Sequence, residues 1–289
     1  YGLGYNVKGG ELILHTVSVV ELDGNSESAD LTDYMGIFIP RRGDYRIDVD
    51  GDMLLSPIGQ SNNAPASQDG SPKAPEVRFI QEDPSRALFR GSNVWTMKTF
   101  QTEPRQTDMG SIDSDLRYES GKIRGTVENH TPYPLEDVTL YTSTAFGRVG
   151  NIASGEKKDV ELAVPQQNQP YVFDHYNAML ESLYPYSSGT LSGKDPDREV
   201  TARRRLLENL LMNNGAATKE YSPADREDPY LLHYFAFYGG NPEGNVKING
   251  KQPDTSFGSG VILGSMSFAT EKNGFVSIPP GILNGKLEQ

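Results

Sequence analysis

Cysteine is absent from this 289-residue chain, which excludes disulfides, thiolate metal sites and a cysteine nucleophile. Tryptophan occurs once, as Trp95. No apolar run reaches the 18 or so residues a bilayer-spanning helix needs. Positive charge is scarce: 27 Lys and Arg face 39 Asp and Glu, for a net charge of -12. Phosphate binding needs clustered Lys and Arg, so nucleic acid is excluded as a partner. The one basic cluster, Arg203-Arg204-Arg205, falls in an expected helix beside acidic neighbours and reads as a solvated helix face.

Signatures of catalysis are missing as well. The four histidines, His15, His130, His175 and His233, are scattered, and none belongs to a His-Glu-x-x-His zinc motif. There is no Gly-x-Ser-x-Gly elbow, no phosphate-binding Gly-x-x-x-x-Gly-Lys loop and no Gly-x-Gly-x-x-Gly. Gly258-Ser-Gly260 is too short to count. Asp48-Val-Asp50-Gly51-Asp52 has the alternating carboxylates of a calcium loop, but such a loop needs Gly at its sixth position and Glu at its twelfth. Met53 and Gly59 stand there, so the segment reads as a solvated Asp-Gly hairpin turn and no metal or cofactor is expected. A pair of glycosidase carboxylates cannot be picked out among so many acids.

What the chain has is turn and strand chemistry. Thirty Gly, nineteen Pro, fifteen Tyr and eleven Phe suit many short strands better than a helical bundle. Residues 11–22 are β-branched and alternating, a strand. Strands are also expected at 34–39, at 44–49 and 52–55 as a hairpin, at 77–80, 86–90, 94–101 and 116–118. Residues 56–76, rich in Ser, Pro, Asn and Gly, read as a long mobile loop. In the second half, Phe173, Tyr176, Met179, Leu180 and Leu183 recur at helical spacing, and Asp195-Pro196 opens a second helix with the stripe Val200, Leu206, Leu207, Leu210 and Leu211. An aromatic strand follows at 230–238, then a hairpin on Asn249-Gly250 and strands at 261–268 and 275–278.

Gly125-Thr-Val-Glu-Asn-His-Thr131, Leu135-Glu-Asp-Val138 and Gly150-Asn-Ile-Ala-Ser-Gly-Glu156 follow one another as strand, polar turn, strand, turn, strand. This progression resembles the immunoglobulin-like β-sandwich repeats of bacterial surface proteins. Ile248-Asn-Gly250 and Ile278-Pro-Pro-Gly281 extend the likeness loosely, and the absence of cysteine fits exported proteins of Gram-positive bacteria. Asn129-His-Thr131 has the form of a glycosylation sequon but reads as a turn.

The expected fold is therefore all-β: two antiparallel sandwiches, 1–118 and 119–289, the second immunoglobulin-like with a helical hairpin inserted at 170–215. A single super-sandwich is the rival architecture. The resemblance implies a non-enzymatic, extracytoplasmic module of a Gram-positive cell envelope, a spacer or a binder of an envelope protein or glycan. Because the chain starts at Tyr1 without Met or signal, it reads as a trimmed piece whose anchor to membrane or wall lies outside it. The alternative is a carbohydrate-active enzyme with unrecognised carboxylates. Aromatic residues crowd the insertion and the strand after it. Tyr184, Tyr186, Tyr234 and Tyr238 are the candidate ligand-binding residues, with Tyr184 and Tyr186 expected as exposed contact surface.

Overall fold

The computed structural model describes residues 10–22, 29–51, 53–58, 77–104, 109–142, 145–164, 172–185, 197–211, 232–239, 246–272 and 275–276. Most of the expected loop 56–76, together with Tyr186 and Ile278–Gly281, lies outside them. The described chain is mostly strand, with two helices, and its sheets are largely antiparallel, with Ala269–Lys272 running parallel to Ile112–Glu119. Two compact units form, but no single cut separates them. Tyr1–Glu21, Ser28–Asp108 and Tyr238–Ile262 make the first; Leu22–Glu27, Met109–Phe237 and Leu263–Gln289 make the second. The expected division after residue 118 thus gives way to a chain that returns to its first unit.

In the first unit, β1 (Ile13–Leu22), β2 (Ala29–Ile39), β7 (Thr96–Pro104) and β4 (Met53–Ser56) lie side by side in that order, with β15 (Thr255–Met266) next to β1. A second sheet orders β14 (Val246–Ile248), β3 (Gly43–Val49), β6 (Ser85–Ser92) and β5 (Val77–Ile80). Period-2 alternation sends Met35, Ile37, Ile39 and Phe100 from one sheet against Tyr45, Ile47, Val49 and Phe89 from the other. Phe89 and Phe100 pack with centroids 6.3 Å apart.

The expected hairpin over 44–55 does not form. β3 pairs with β6 and β14, whereas β4 pairs with β7. The Asp50-Gly51 turn, with Gly51 at φ 100, carries the chain from one sheet to the other. Tyr45, Ile47 and Val49 on one side and Leu55 on the other gain more by facing each other across a core than by pairing at an edge. The outer edge of β4 is covered: the Gln81 side chain donates to the Leu55 carbonyl at 2.6 Å and accepts from its amide at 3.1 Å, and Ser85 Oγ donates to the Met53 carbonyl. An edge strand closed in this way offers no template for a further strand.

In the second unit, β8 (Ile112–Glu119), β9 (Lys122–Asn129) and β12 (Lys157–Ala163) pair in sequence, with β16 (Ala269–Lys272) parallel to β8 and β17 (Phe275–Val276) beyond it. β11 (Phe146–Ile152), β10 (Leu135–Tyr141) and β13 (Leu232–Tyr238) form the other set. The sequence motif is the wiring of this unit. Asn129 is fully buried; its Nδ2 lies 2.8 Å from the Tyr133 carbonyl and 3.2 Å from that of Ile152, and its Oδ1 accepts from the Thr131 amide at 2.9 Å. A side chain so placed turns the backbone and cannot also carry a glycan. Gly125, at φ 147, admits no side chain, since a Cβ there would meet the Asp115 carbonyl oxygen at 1.9 Å.

Helices α1 (Val172–Leu183) and α2 (Asp197–Leu211) form where the apolar spacing places them. Tyr176, Met179, Leu180, Leu207, Leu210 and Leu211 are buried. Tyr176 packs edge-on against Tyr141 at 5.9 Å.

Candidate functional site

Three of the four tyrosines singled out by sequence are buried rather than set on an exposed platform. Tyr184 is 2% exposed, Tyr234 1% and Tyr238 6%; Tyr186 lies outside the described residues. Tyr184 meets Phe237 edge-on at 6.0 Å, its hydroxyl lies 3.4 Å from Asp137 Oδ2, and its pKa is raised by burial first and by the Asp137 charge second. The other two rings lie over glycines. A Cβ at Gly264 would fall 2.4 Å from the Tyr234 hydroxyl, and one at Gly260 would fall 2.1 Å from the Tyr238 ring. Every residue of β13 is buried, because glycines on its neighbour β15 leave room for rings on one face while Tyr184 packs against Phe235 and Phe237 on the other. Alternating aromatics here are core.

The basic cluster is also structural. Arg203 lies over the Phe237 ring at 4.6 Å and donates to Asp137 at 2.7 Å; it also pairs with Glu136 and Glu199. Arg204 is 4% exposed, binds Glu208 at 2.8 Å and donates to the Tyr184 carbonyl at 3.0 Å. The expectation of a solvated helix face fails for these two, because each also donates to acceptors remote in sequence: Arg203 to Glu136 and Asp137 of β10, and Arg204 to the Leu180 and Tyr184 carbonyls at the end of α1. The acids at Glu199 and Glu208, four residues from each arginine, were the readable part of the signal.

Asp48 and Asp50 line a shallow depression of about 210 Å³ together with Arg46, Arg86 and Lys247. Asp48 is buried and pairs with Arg46 at 3.0 Å and Arg86 at 3.5 Å, and Asp50 pairs with Lys247 at 2.8 Å. Cations already occupy both carboxylates, so they are ill placed to hold a metal or act as a general base. No group of three metal-ligating side chains occurs among the described residues.

The surface that stands out lies on the outer face of β2 and β7. Phe38 and Met97 are register partners there, pointing away from the core that Ile37, Ile39 and Phe100 fill. A Cβ at Gly36 would come within 3.2 Å of Met97 Sδ, so Gly36 lets Met97 lie across the strand. The loop between β6 and β7 adds Val94 and Trp95. Trp95 takes φ 57, its amide donates to the Ile39 carbonyl at 2.8 Å, and Thr96 Oγ1 donates to the Asn93 carbonyl. Its ring packs on Phe38 at 5.5 Å. Yet Trp95 is 58% exposed, Met97 50% and Val94 48%. A left-handed non-glycine residue costs about 1–3 kcal/mol and persists where its surroundings hold it. The sequence signal was the unbroken run Met35-Gly-Ile-Phe-Ile39, since an antiparallel strand with one wet face should alternate.

Comparison with known proteins adds a family and little more. Residues 111–261, just over half of the chain, match DUF8725, a domain of unknown function. The chain belongs to that family. The DUF8725 segment includes β8 to β13 and both helices, while the Trp95 face precedes it. No curated protein matches the chain. Solved structures with likeness include the Mu homology domain of Fcho1 from Danio rerio with a bound Eps15 peptide, 6% identical, covering 89% of this chain and 97% of that one at a TM-score of 0.42. The yeast delta-COP-I mu-homology domain is another, 7% identical in complex with a Dsl1 WxWxV peptide and 8% alone, each covering 91% of this chain and 98% of that one, at TM-scores of 0.36 and 0.37. The assignment to a Gram-positive cell envelope, membrane-anchored and on the extracellular side, is corrected by these findings. The matched structures are Mu homology domains and not surface modules, and the motif at 125–156 that suggested the envelope serves turns and core packing.

Proposed function

We propose that the chain is a non-enzymatic, protein-binding module that docks its partner on the face made by Phe38, Val94, Trp95 and Met97. The single observation that carries this reading is Trp95, the only tryptophan, held in a left-handed backbone with more than half of its surface open to solvent. Tryptophan is the side chain most enriched among residues that dominate binding energy, and methionine and phenylalanine are enriched in the same surfaces. A water-facing cluster of this kind stabilises a complex far more than it stabilises the free chain. The pairing of Phe38 with Met97 on rigid strands keeps the anchors in place before binding, which lowers the entropy cost of association.

Photo-crosslinking tests this. A benzoylphenylalanine placed at Met97 in the organism that makes the protein should give discrete protein adducts absent from a control with the same group at the exposed Glu119. Adducts no different from the control would overturn the proposal.

A further inference from the structure

The charges around the Trp95 face say what kind of protein segment it takes, an inference that rests on the docking role just proposed. The β2–β3 connection and the β6–β7 loop meet at one end of the first unit: the Ile39 carbonyl holds the Trp95 amide, and Gly43 is the register partner of Ser92. Arg41 and Arg42 lie between Ile39 and Gly43, and Arg90 lies two residues before Ser92. All three are exposed.

Six arginines elsewhere in this acidic chain are matched. Arg46 and Arg86 pair with Asp48, Arg124 with Glu161, Arg148 and Arg203 with Asp137, and Arg204 with Glu208. Arg41, Arg42 and Arg90 form no side-chain ion pair among the described residues. The acid beside them, Asp44, points its carboxylate at the Gly91 amide, accepting at 2.7 Å. In a chain of net charge -12, three unmatched guanidinium groups beside an exposed tryptophan are a local reversal of sign.

We infer that the partner is an acidic peptide segment carrying a bulky apolar anchor: the anchor covers Trp95, Phe38 and Met97 while flanking carboxylates meet Arg41, Arg42 and Arg90. Guanidinium groups suit this because they bind carboxylates in a two-pronged fork and are weakly hydrated. The same rim repels basic segments, so selectivity arises from both signs of the interaction.

The test is selection of a random 12-residue phage-displayed peptide library on the whole chain, with the Trp95→Ala chain as counter-selection. Enriched sequences should combine Asp or Glu with an aromatic or large aliphatic residue. Labelled peptides made from them should bind more weakly as salt rises from low to high. They should also lose on the order of tenfold in affinity to a chain carrying Arg41→Ala, Arg42→Ala and Arg90→Ala, since each exposed pair contributes at most about a factor of five. Peptides enriched in apolar residues with no acidic bias, bound independently of salt and of the three arginines, would overturn the acidic partner and leave the docking face standing. No enrichment over Trp95→Ala would overturn both.

Discussion

His233 shows how little of a side chain's chemistry its position in the sequence reveals. It sits in β13, 5% exposed, with its ring stacked on Tyr141 at 5.5 Å, and burial lowers its pKa to about 4 from the ordinary 6.5. The neutral ring is the form the fold accepts. Unfolding releases it to take up a proton once the pH is below about 6.5, so its contribution to stability is full above that value. The contribution is lost as the pH falls towards about 4, by roughly 3 kcal/mol in all. Chemical denaturation followed from about pH 7 to about pH 4 should show this decline, and His233→Phe should flatten it. An unchanged pH profile in His233→Phe would show that other groups cause the decline.

At the scale of the element, the two helices are structural members of the second unit. Tyr176, Met179, Leu180, Leu207, Leu210 and Leu211 are buried along with Tyr184, and Arg203 and Arg204 tie α2 to β10 and to the end of α1. Burial of a large apolar side chain stabilises by about 1.5–3 kcal/mol, so this group contributes on the order of 10 kcal/mol, comparable with the whole stability of an ordinary domain. The helices expected within the 170–215 insertion are therefore part of that unit's core. A chain with a Gly/Ser linker in place of 170–215 should lose the cooperative unfolding transition of that unit in calorimetry. Retention of two full transitions would return the helices to the status of an ornament.

Across the whole molecule, net charge and local charge point in opposite directions. A chain at -12 should repel anions from most of its surface. The exposed Arg41, Arg42 and Arg90 lie on the chain segments that meet at Trp95, and screening at physiological salt confines each field to about 10 Å. Because Trp95 is the only indole, its fluorescence samples this place alone. Measured relative to its quenching of free N-acetyltryptophanamide, iodide should be favoured over caesium at equal ionic strength, despite the acidity of the protein. A normalised preference for caesium would show that the net charge prevails there.

The sequence by itself determined the all-β class, most strand positions, both helices and the turn at Asn249-Gly250, where both residues take positive φ. These follow from period, branching and turn chemistry, which act over a few residues and leave their mark in the chain. Only the tertiary structure decided what lies across from what. Asp50-Gly51 could close a hairpin or pass between sheets, and pairing with β6 and β7 chose the second. Tyr234 and Tyr238 could face water or a core, and the glycines at 264 and 260, on a strand that follows more than twenty residues later, made room for a core. Arg203 could solvate a helix or clamp it, and Asp137 and Phe237 made it a clamp. Trp95 went the other way, left outside because the face it stands on has no layer of this unit's sheets to cover it among the described residues. Burial is a property of the partners a residue meets, and those partners are brought together by folding rather than by adjacency.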